Sequence, residues 1–247
     1  MKIMTQNADV LLPGANRQKL RHLAEKIIQE NITLIAMQNV AQSLDAEPIS
    51  SELWEDVASD EGLPDVRRDN AAAMLAQFLK QLGKSCSWIW LPDNKADSLQ
   101  RKGFAFLSVG RRIRCVDRFA VGTASQPVLG IQLEGMEDWF YQLSSSSWEV
   151  PKERFLSQWK LLNCCITSKR LCSPVWLIGG FGPMAGAPER YRESFAAGGW
   201  SEVDAEKNRC SNIWCSRKRE TRPCISKDRM YQEHSSAMVI DVKEDTL

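Results

Sequence analysis

The chain has 247 residues, 43% of them hydrophobic and 26% charged, with 32 Lys and Arg against 31 Asp and Glu. That profile belongs to a globular protein with a real core, and a net charge of +1 excludes a global field that would draw in nucleic acid or an anionic membrane. No run approaches the roughly 20 apolar residues of a membrane span, and no early stretch has the pattern of a signal peptide, so the expected location is the cytoplasm.

Eight cysteines lack the paired spacing of a zinc site. A chain of this size needs no disulfide staples, so they read as reduced thiols. Lys2 to Gln6 alternates as a first strand. Asn16 to Gln29 is helical, with Leu20, Leu23, Ala24, Ile27 and Ile28 at helical spacing until Asn31 breaks it. Thr33 to Gln38 is a second, mostly apolar strand, which makes a strand–helix–strand unit with both strands in one sheet.

Ser43 to Pro64 is polar and acidic and reads as a surface loop. Asp69 is the expected N-cap of a helix carrying Ala72, Met74, Leu75, Phe78, Leu79 and Leu82 on one face and ending at Gly83. Cys86 to Leu91 is a strand. Phe104 to Val109, Ile113 to Phe119, Val128 to Leu133 and Trp139 to Leu143 read as a run of short strands in an antiparallel meander. Glu149 to Ile166 is helical, opened by Pro151 in its first turn.

Val175 to Ile178 is a short apolar strand that runs into the glycine-rich turn Gly179-Gly-Phe-Gly182. Open α/β sheets place their sites at such strand ends. A short helix follows near Pro188 to Ala197, and the last strands lie near Cys210 to Cys215 and Ala237 to Val242. The whole, 1–247, reads as one domain: a two-sheet α/β sandwich. Trp88, Trp90, Trp148 and Trp176 read as core at alternating strand positions, against a sugar-stacking platform. Arg217 to Arg222 reads as a solvated hairpin tip, against a phosphate contact.

In order and spacing these blocks resemble the endonuclease/exonuclease/phosphatase superfamily, whose fold is of the deoxyribonuclease I type. MKIMTQN resembles the family's opening strand with its asparagine, Asn7. LIAMQNV resembles the strand ending in Gln-Glu, GFAFLSVG the glycine–apolar–leucine–serine strand, and PVWLIGGFG the strand ending in GDFN. NRCSNIW resembles the Ile-Asp-Tyr strand and QEHSSAMVIDV the final Ser-Asp-His strand. The Asp69-Asn70 helix and the Trp88-Ile-Trp90 strand resemble the bacterial sugar-phosphate phosphatases of that family.

The resemblance implies hydrolysis of a phosphoester with a divalent metal, normally magnesium on carboxylates, and a histidine. Most of that apparatus is replaced here. The metal glutamate's position is Asn39, an amide without charge. The GDFN aspartate and asparagine correspond to Gly180 and Gly182, the histidine's aspartate partner to Ser211, and a mid-chain histidine to Ser144. The final aspartate is Glu233. Only Asn7 and His234 are unchanged. Each lost electrostatic or acid/base group typically costs a factor of about 100 to 1,000.

The expectation is therefore a degenerate member without a resident metal or other cofactor, kept to bind a small phosphorylated ligand or a protein. One alternative is an active magnesium-dependent phosphohydrolase rebuilt on Asn7, Glu233, His234, Asp9 and Asp204. Another is a structural interaction module in which the old cleft is irrelevant.

Overall fold

Among the described residues, two six-stranded sheets face each other across a layer of apolar side chains. This is a computed structural model, and it describes residues 1–9, 11, 17–58, 65–96, 99–121, 126–143, 152–179, 188–202, 212–216, 221–224 and 238–242. The first sheet runs β11 (Thr221–Cys224), β12 (Met238–Val242), β1 (Lys2–Asn7), β2 (Leu34–Ser43), β4 (Gln100–Val109) and β3 (Cys86–Ala96). The second runs β5 (Ile113–Val121), β6 (Gln126–Leu133), β7 (Trp139–Leu143), β8 (Val175–Gly179), β10 (Asn212–Cys215) and β9 (Ser201–Glu202).

Alternation along the strands decides which side chain goes where. Ile3, Leu34, Ala36, Phe104 and Phe106 meet Leu129, Ile131, Phe140, Trp176 and Ile178 between the sheets. The residues between them, Met4, Ile35, Met37, Ala105 and Leu107, face the other way. There they pack under α1 (Arg17–Gln29) and α3 (Ala71–Gln81). On the far side, Val128, Tyr141, Val175 and Leu177 pack against Trp159, Leu162 and Ile166 of α4 (Lys152–Cys172) and Phe195 of α5 (Pro188–Ala197). The order is helices, sheet, sheet, helices, the expected two-sheet α/β sandwich. With both faces of the central strands covered, they are apolar almost throughout, as strands between two layers must be.

β1 and β2 are parallel neighbours joined through α1, as read from the sequence. Trp88, Trp90 and Trp176 are at most 1% exposed, so they are core and not a stacking platform. Trp148 lies outside the described residues.

Four expectations are corrected. The segment from Ser43 is not all loop: β2 runs to Ser43, a short helix α2 covers Ser51–Trp54, and Val57 bridges to Trp88. The N-cap of α3 is Asn70, not Asp69. Asn70 Oδ1 accepts from the backbone N–H of Ala72 (2.9 Å) and Ala73 (3.3 Å), and its Nδ2 donates to Gln42 Oε1 (3.0 Å). An aspartate could not make the last of these bonds, and Asp69 instead accepts from the Ser43 N–H at 3.0 Å. The four-strand meander is three strands, β5 to β7, because β4 pairs with β2 and β3 in the other sheet. Finally, α4 continues six residues past Ile166 to Cys172, where Pro174, which disfavours helix at the residue before it, ends it.

Candidate functional site

β1 and β2 run side by side to the same end of the first sheet, and Asn7 pairs in register with Gln38. One residue further on, β2 departs from regular geometry. Met37 pairs with Ala105 of β4 and Val40 with Gly103, so Gln38 and Asn39 together oppose the single residue Phe104. That two-against-one count is a β-bulge, a device that re-aims a side chain. Asn39 takes a left-handed backbone conformation there, φ 57°. Asparagine is among the few side chains that adopt it readily.

The bulge is held from both sides. Gln38, 3% exposed, exchanges hydrogen bonds with Thr5 of β1: Gln38 Nε2 donates to Thr5 Oγ1 at 3.1 Å, and Thr5 Oγ1 donates to Gln38 Oε1 at 3.2 Å. The Ala8 N–H donates to the Gln38 carbonyl at 2.7 Å. From the opposite sheet, Gln142 of β7 donates from Nε2 to the Met37 carbonyl at 2.7 Å. Gly103 lets β3 close on β4 beside the bulge. A Cβ at that position would fall 2.7 Å from Pro92 Cα and closer still to the Leu91 carbonyl oxygen.

The side chain aimed by the bulge meets the end of β1. Asn39 Nδ2 donates to Asn7 Oδ1 at 2.9 Å and to Asp9 Oδ2 at 2.8 Å. Asn7 Oδ1 also accepts from the Asp9 N–H at 3.1 Å, which fixes the turn after β1. The other Asp9 oxygen, Oδ1, is 3.3 Å from Lys102 Nζ. Lys102 reaches it from β4, opposite Ala41. A small hollow adjoins this group, lined by Gln38, Asn39, Asp93, Lys102, Gly103 and Phe104.

The donor set tests whether magnesium fits. A hard cation at this position would sit among the oxygens of Asn7, Asp9 and residue 39. The carboxamide NH₂ of Asn39 already lies between the Asn7 and Asp9 oxygens, within hydrogen-bond distance of each. Turning the carboxamide over would bring three oxygens together without a proton between them. The Asp9 carboxylate is ion-paired with Lys102. As arranged, these described residues satisfy one another.

Asn7 and Asn39, expected to share one cleft, are therefore in contact. Asp9 stands with them. Ser144, Gly180, Gly182, Asp204, Ser211, Glu233 and His234 lie outside the described residues. The strands leading toward them are described: β7 ends at Leu143, which pairs with Gly179 at the end of β8, and β12 begins at Met238, opposite Thr5 of β1. Lys102 was not singled out from the sequence. Its one sequence signal is its place immediately before Gly103, at the head of the GFAFLSVG block.

No protein-family model matches the chain, and no curated protein matches it. Its fold does recur among solved structures. An endonuclease/exonuclease/phosphatase family protein from Leptotrichia buccalis superposes with a TM-score of 0.73 at 16% identity, covering 99% of this chain and 100% of its own. The human Nocturnin catalytic domain with bound sulfate gives 0.59 at 14% identity, over 98% and 93% of the two chains. An endonuclease/exonuclease/phosphatase from Beutenbergia cavernae gives 0.61 at 10% identity, over 98% and 71%.

Proposed function

We propose that this chain, which has the fold of the endonuclease/exonuclease/phosphatase superfamily, is a catalytically degenerate relative of those metal-dependent phosphoesterases, kept as a binding or regulatory protein. The reading rests on one observation: at the position where the family places its metal glutamate, Asn39 puts an NH₂ group between Asn7 and Asp9. A glutamate there would bring a charged oxygen ligand. The asparagine brings hydrogen-bond donors and makes the interaction a closed polar cluster. The replacements at Gly180, Gly182, Ser211 and Ser144 act in the same direction, since each removes a group that would orient water, steady the phosphoryl oxygens or position the histidine. The cleft then serves to hold a small phosphorylated ligand or a protein partner, without turnover.

Calorimetric titration with magnesium and manganese tests this. The wild-type protein is expected to show no binding at millimolar metal. Asn39→Glu is expected to gain measurable affinity, because it supplies a hard charged ligand where the amide stood. Metal-stimulated hydrolysis of a generic phosphodiester or sugar phosphate is expected to stay at background. It should appear only when Asn39→Glu is combined with Gly180→Asp, Gly182→Asn, Ser211→Asp and Ser144→His, because such groups act as a unit. A robust wild-type rate abolished by a chelator and by His234→Ala would overturn the proposal.

The presence of Asp9 within 2.8 Å of Asn39 favours one other reading. Here the carboxylate comes from the turn after β1 instead of from β2, and an active phosphohydrolase rebuilt around Asp9 would use it. In that case Asp9→Asn abolishes both metal binding and activity. In the degenerate reading neither exists to be lost.

A further inference from the structure

Lys102 lies between two breaks in the first sheet. On one side is the β2 bulge, where Gln38 and Asn39 oppose Phe104. On the other, β3 is irregular as well. Pro92 pairs with Gly103 and Ala96 with Arg101, so Asp93, Asn94 and Lys95 together oppose Lys102. Gly103 borders both breaks, paired with Val40 of β2 and with Pro92 of β3. The hollow beside them is lined by one polar residue from each break, Asn39 from β2 and Asp93 from β3, and by Lys102 on the strand between. Breaks of this kind re-aim side chains and gather at functional sites.

The two carboxylates flanking Lys102 are held differently. Asp9 Oδ1 lies 3.3 Å from Lys102 Nζ, with 46% of the Asp9 side chain and 44% of the Lys102 side chain exposed. An ion pair so open to solvent contributes little and is easily left. Asp93 is the reverse. Its Oδ1 is buried and has no hydrogen-bond partner among the described residues, a costly state for a carboxylate oxygen. The hollow that Asp93 lines has room for one water-sized group. An ammonium has that size, carries three donors and sits on a flexible four-carbon stem. A water would satisfy the oxygen but bring no charge. The ammonium of Lys102 brings both, and Lys102 already lines the hollow.

We infer that Lys102 is a two-position switch for the charge at Asp9. In the outer position its ammonium pairs with Asp9 and neutralises it. In the inner position the side chain turns into the hollow, its ammonium donates to Asp93 Oδ1, and the Asp9 carboxylate is left open to a cationic group entering at the end of β1. The exchange keeps Lys102 beside a carboxylate throughout, so an arriving cation displaces it without stranding a charge. Only one side chain moves, and the sheet stays as it is. The switch needs neither metal nor turnover, so it stands or falls independently of the reading of the cleft.

Acetylation of the full, folded chain by an N-hydroxysuccinimide ester, followed by peptide mass spectrometry, reads the position of Lys102. The measurement is made in chelator, with the exposed Lys19 of α1 as internal reference. Asp9→Asn removes the outer charge and keeps the side-chain shape. Were the outer position the only one, this variant would free the amine and speed its labelling. With the inner position available, Lys102 turns onto Asp93, and its labelling should slow by about fivefold against Lys19, because the contacting carboxylate holds the amine charged and the hollow shields it. Asp9→Ala, which leaves no acceptor at the outer position, should slow it equally. Asp9 is exposed, so neither substitution unfolds the protein. Adding Asp93→Asn to Asp9→Asn removes both carboxylates and should make Lys102 label faster than in the wild type. Labelling of Lys102 that is unchanged or faster in the two Asp9 variants, or a double variant as slow as Asp9→Asn, would overturn the inference.

Discussion

Two asparagines in this protein hold the same unusual backbone conformation for different reasons. Asn31, φ 54°, follows α1. The Asn31 N–H donates to the Ile28 carbonyl at 3.1 Å and the Ile32 N–H to the Ile27 carbonyl at 2.9 Å, the paired bonds by which a helix closes on a left-handed residue. Every partner lies within five residues, and Asn31 itself is exposed. Asn39, φ 57°, sits inside a strand, where nothing in the local chain asks for a left-handed residue. Its partners are Asn7 and Asp9, 32 and 30 residues away. A left-handed asparagine after a helix is punctuation. The same conformation inside a strand, with its side chain engaged, marks a place where the fold is arranged around that side chain.

The comparison predicts that the bulge depends on distant elements and the helix end does not. The largest effect expected is at Gly103, where β4 passes the bulge. Gly103→Ala would press a methyl group into the Pro92 and Leu91 backbone, which cannot rotate away as a side chain would. Overpacking of this kind costs about 3 kcal/mol. Urea unfolding should show that loss, and a change near zero would mean that β3 and β4 are not so tightly joined beside the bulge.

Alanine at the two asparagines separates them next. Both variants keep a left-handed backbone that alanine tolerates poorly, at about 1 kcal/mol. At position 31 that is the whole cost. At position 39 two hydrogen bonds go as well, one of them to an exposed carboxylate, and the loss should reach about 2 kcal/mol. Equal losses by urea unfolding would show that the Asn39 carboxamide contributes nothing to the fold.

The same contrast explains what could be read from the sequence. α1 was legible because Leu20, Leu23, Ala24 and Ile27 recur at helical spacing and all are buried. β1 was legible by its alternation and the first half of β2 as a mostly apolar run. The second half of β2, from residue 39 to Ser43, was not, because a bulge shifts the alternation by one residue just past Gln38, where the expected strand ended. β9 and β11, two and four residues long, carry no period at all. Asn7 and Asn39 were legible through the order of family-like blocks along the chain. Lys102 was not, because its contact with Asp9 spans 93 residues and depends on the register of β2 against β4. The N-cap of α3 was expected at Asp69 instead of Asn70 for a similar reason: both fit the cap locally, and the deciding Gln42 lies 28 residues from Asn70.

Glycine at the same two positions isolates the side-chain part of the difference and gives the smallest effect. Glycine adopts the left-handed conformation without a steric penalty, so it removes backbone strain from the comparison. At position 31 the carboxamide is exposed and the helix-closing bonds are made by the backbone, which glycine retains. Asn31→Gly should therefore leave stability within about 0.5 kcal/mol of wild type, the relief of strain offsetting the greater freedom of glycine in the unfolded chain. At position 39 the same substitution relieves the same strain but still strips Asn7 and Asp9 of their shared donor, so about 1–2 kcal/mol should remain lost. If glycine rescues position 39 as fully as position 31, the bulge exists for backbone reasons alone. The carboxamide between Asn7 and Asp9 would then be a passenger, and the proposal that it stands in place of a metal ligand would lose its structural support.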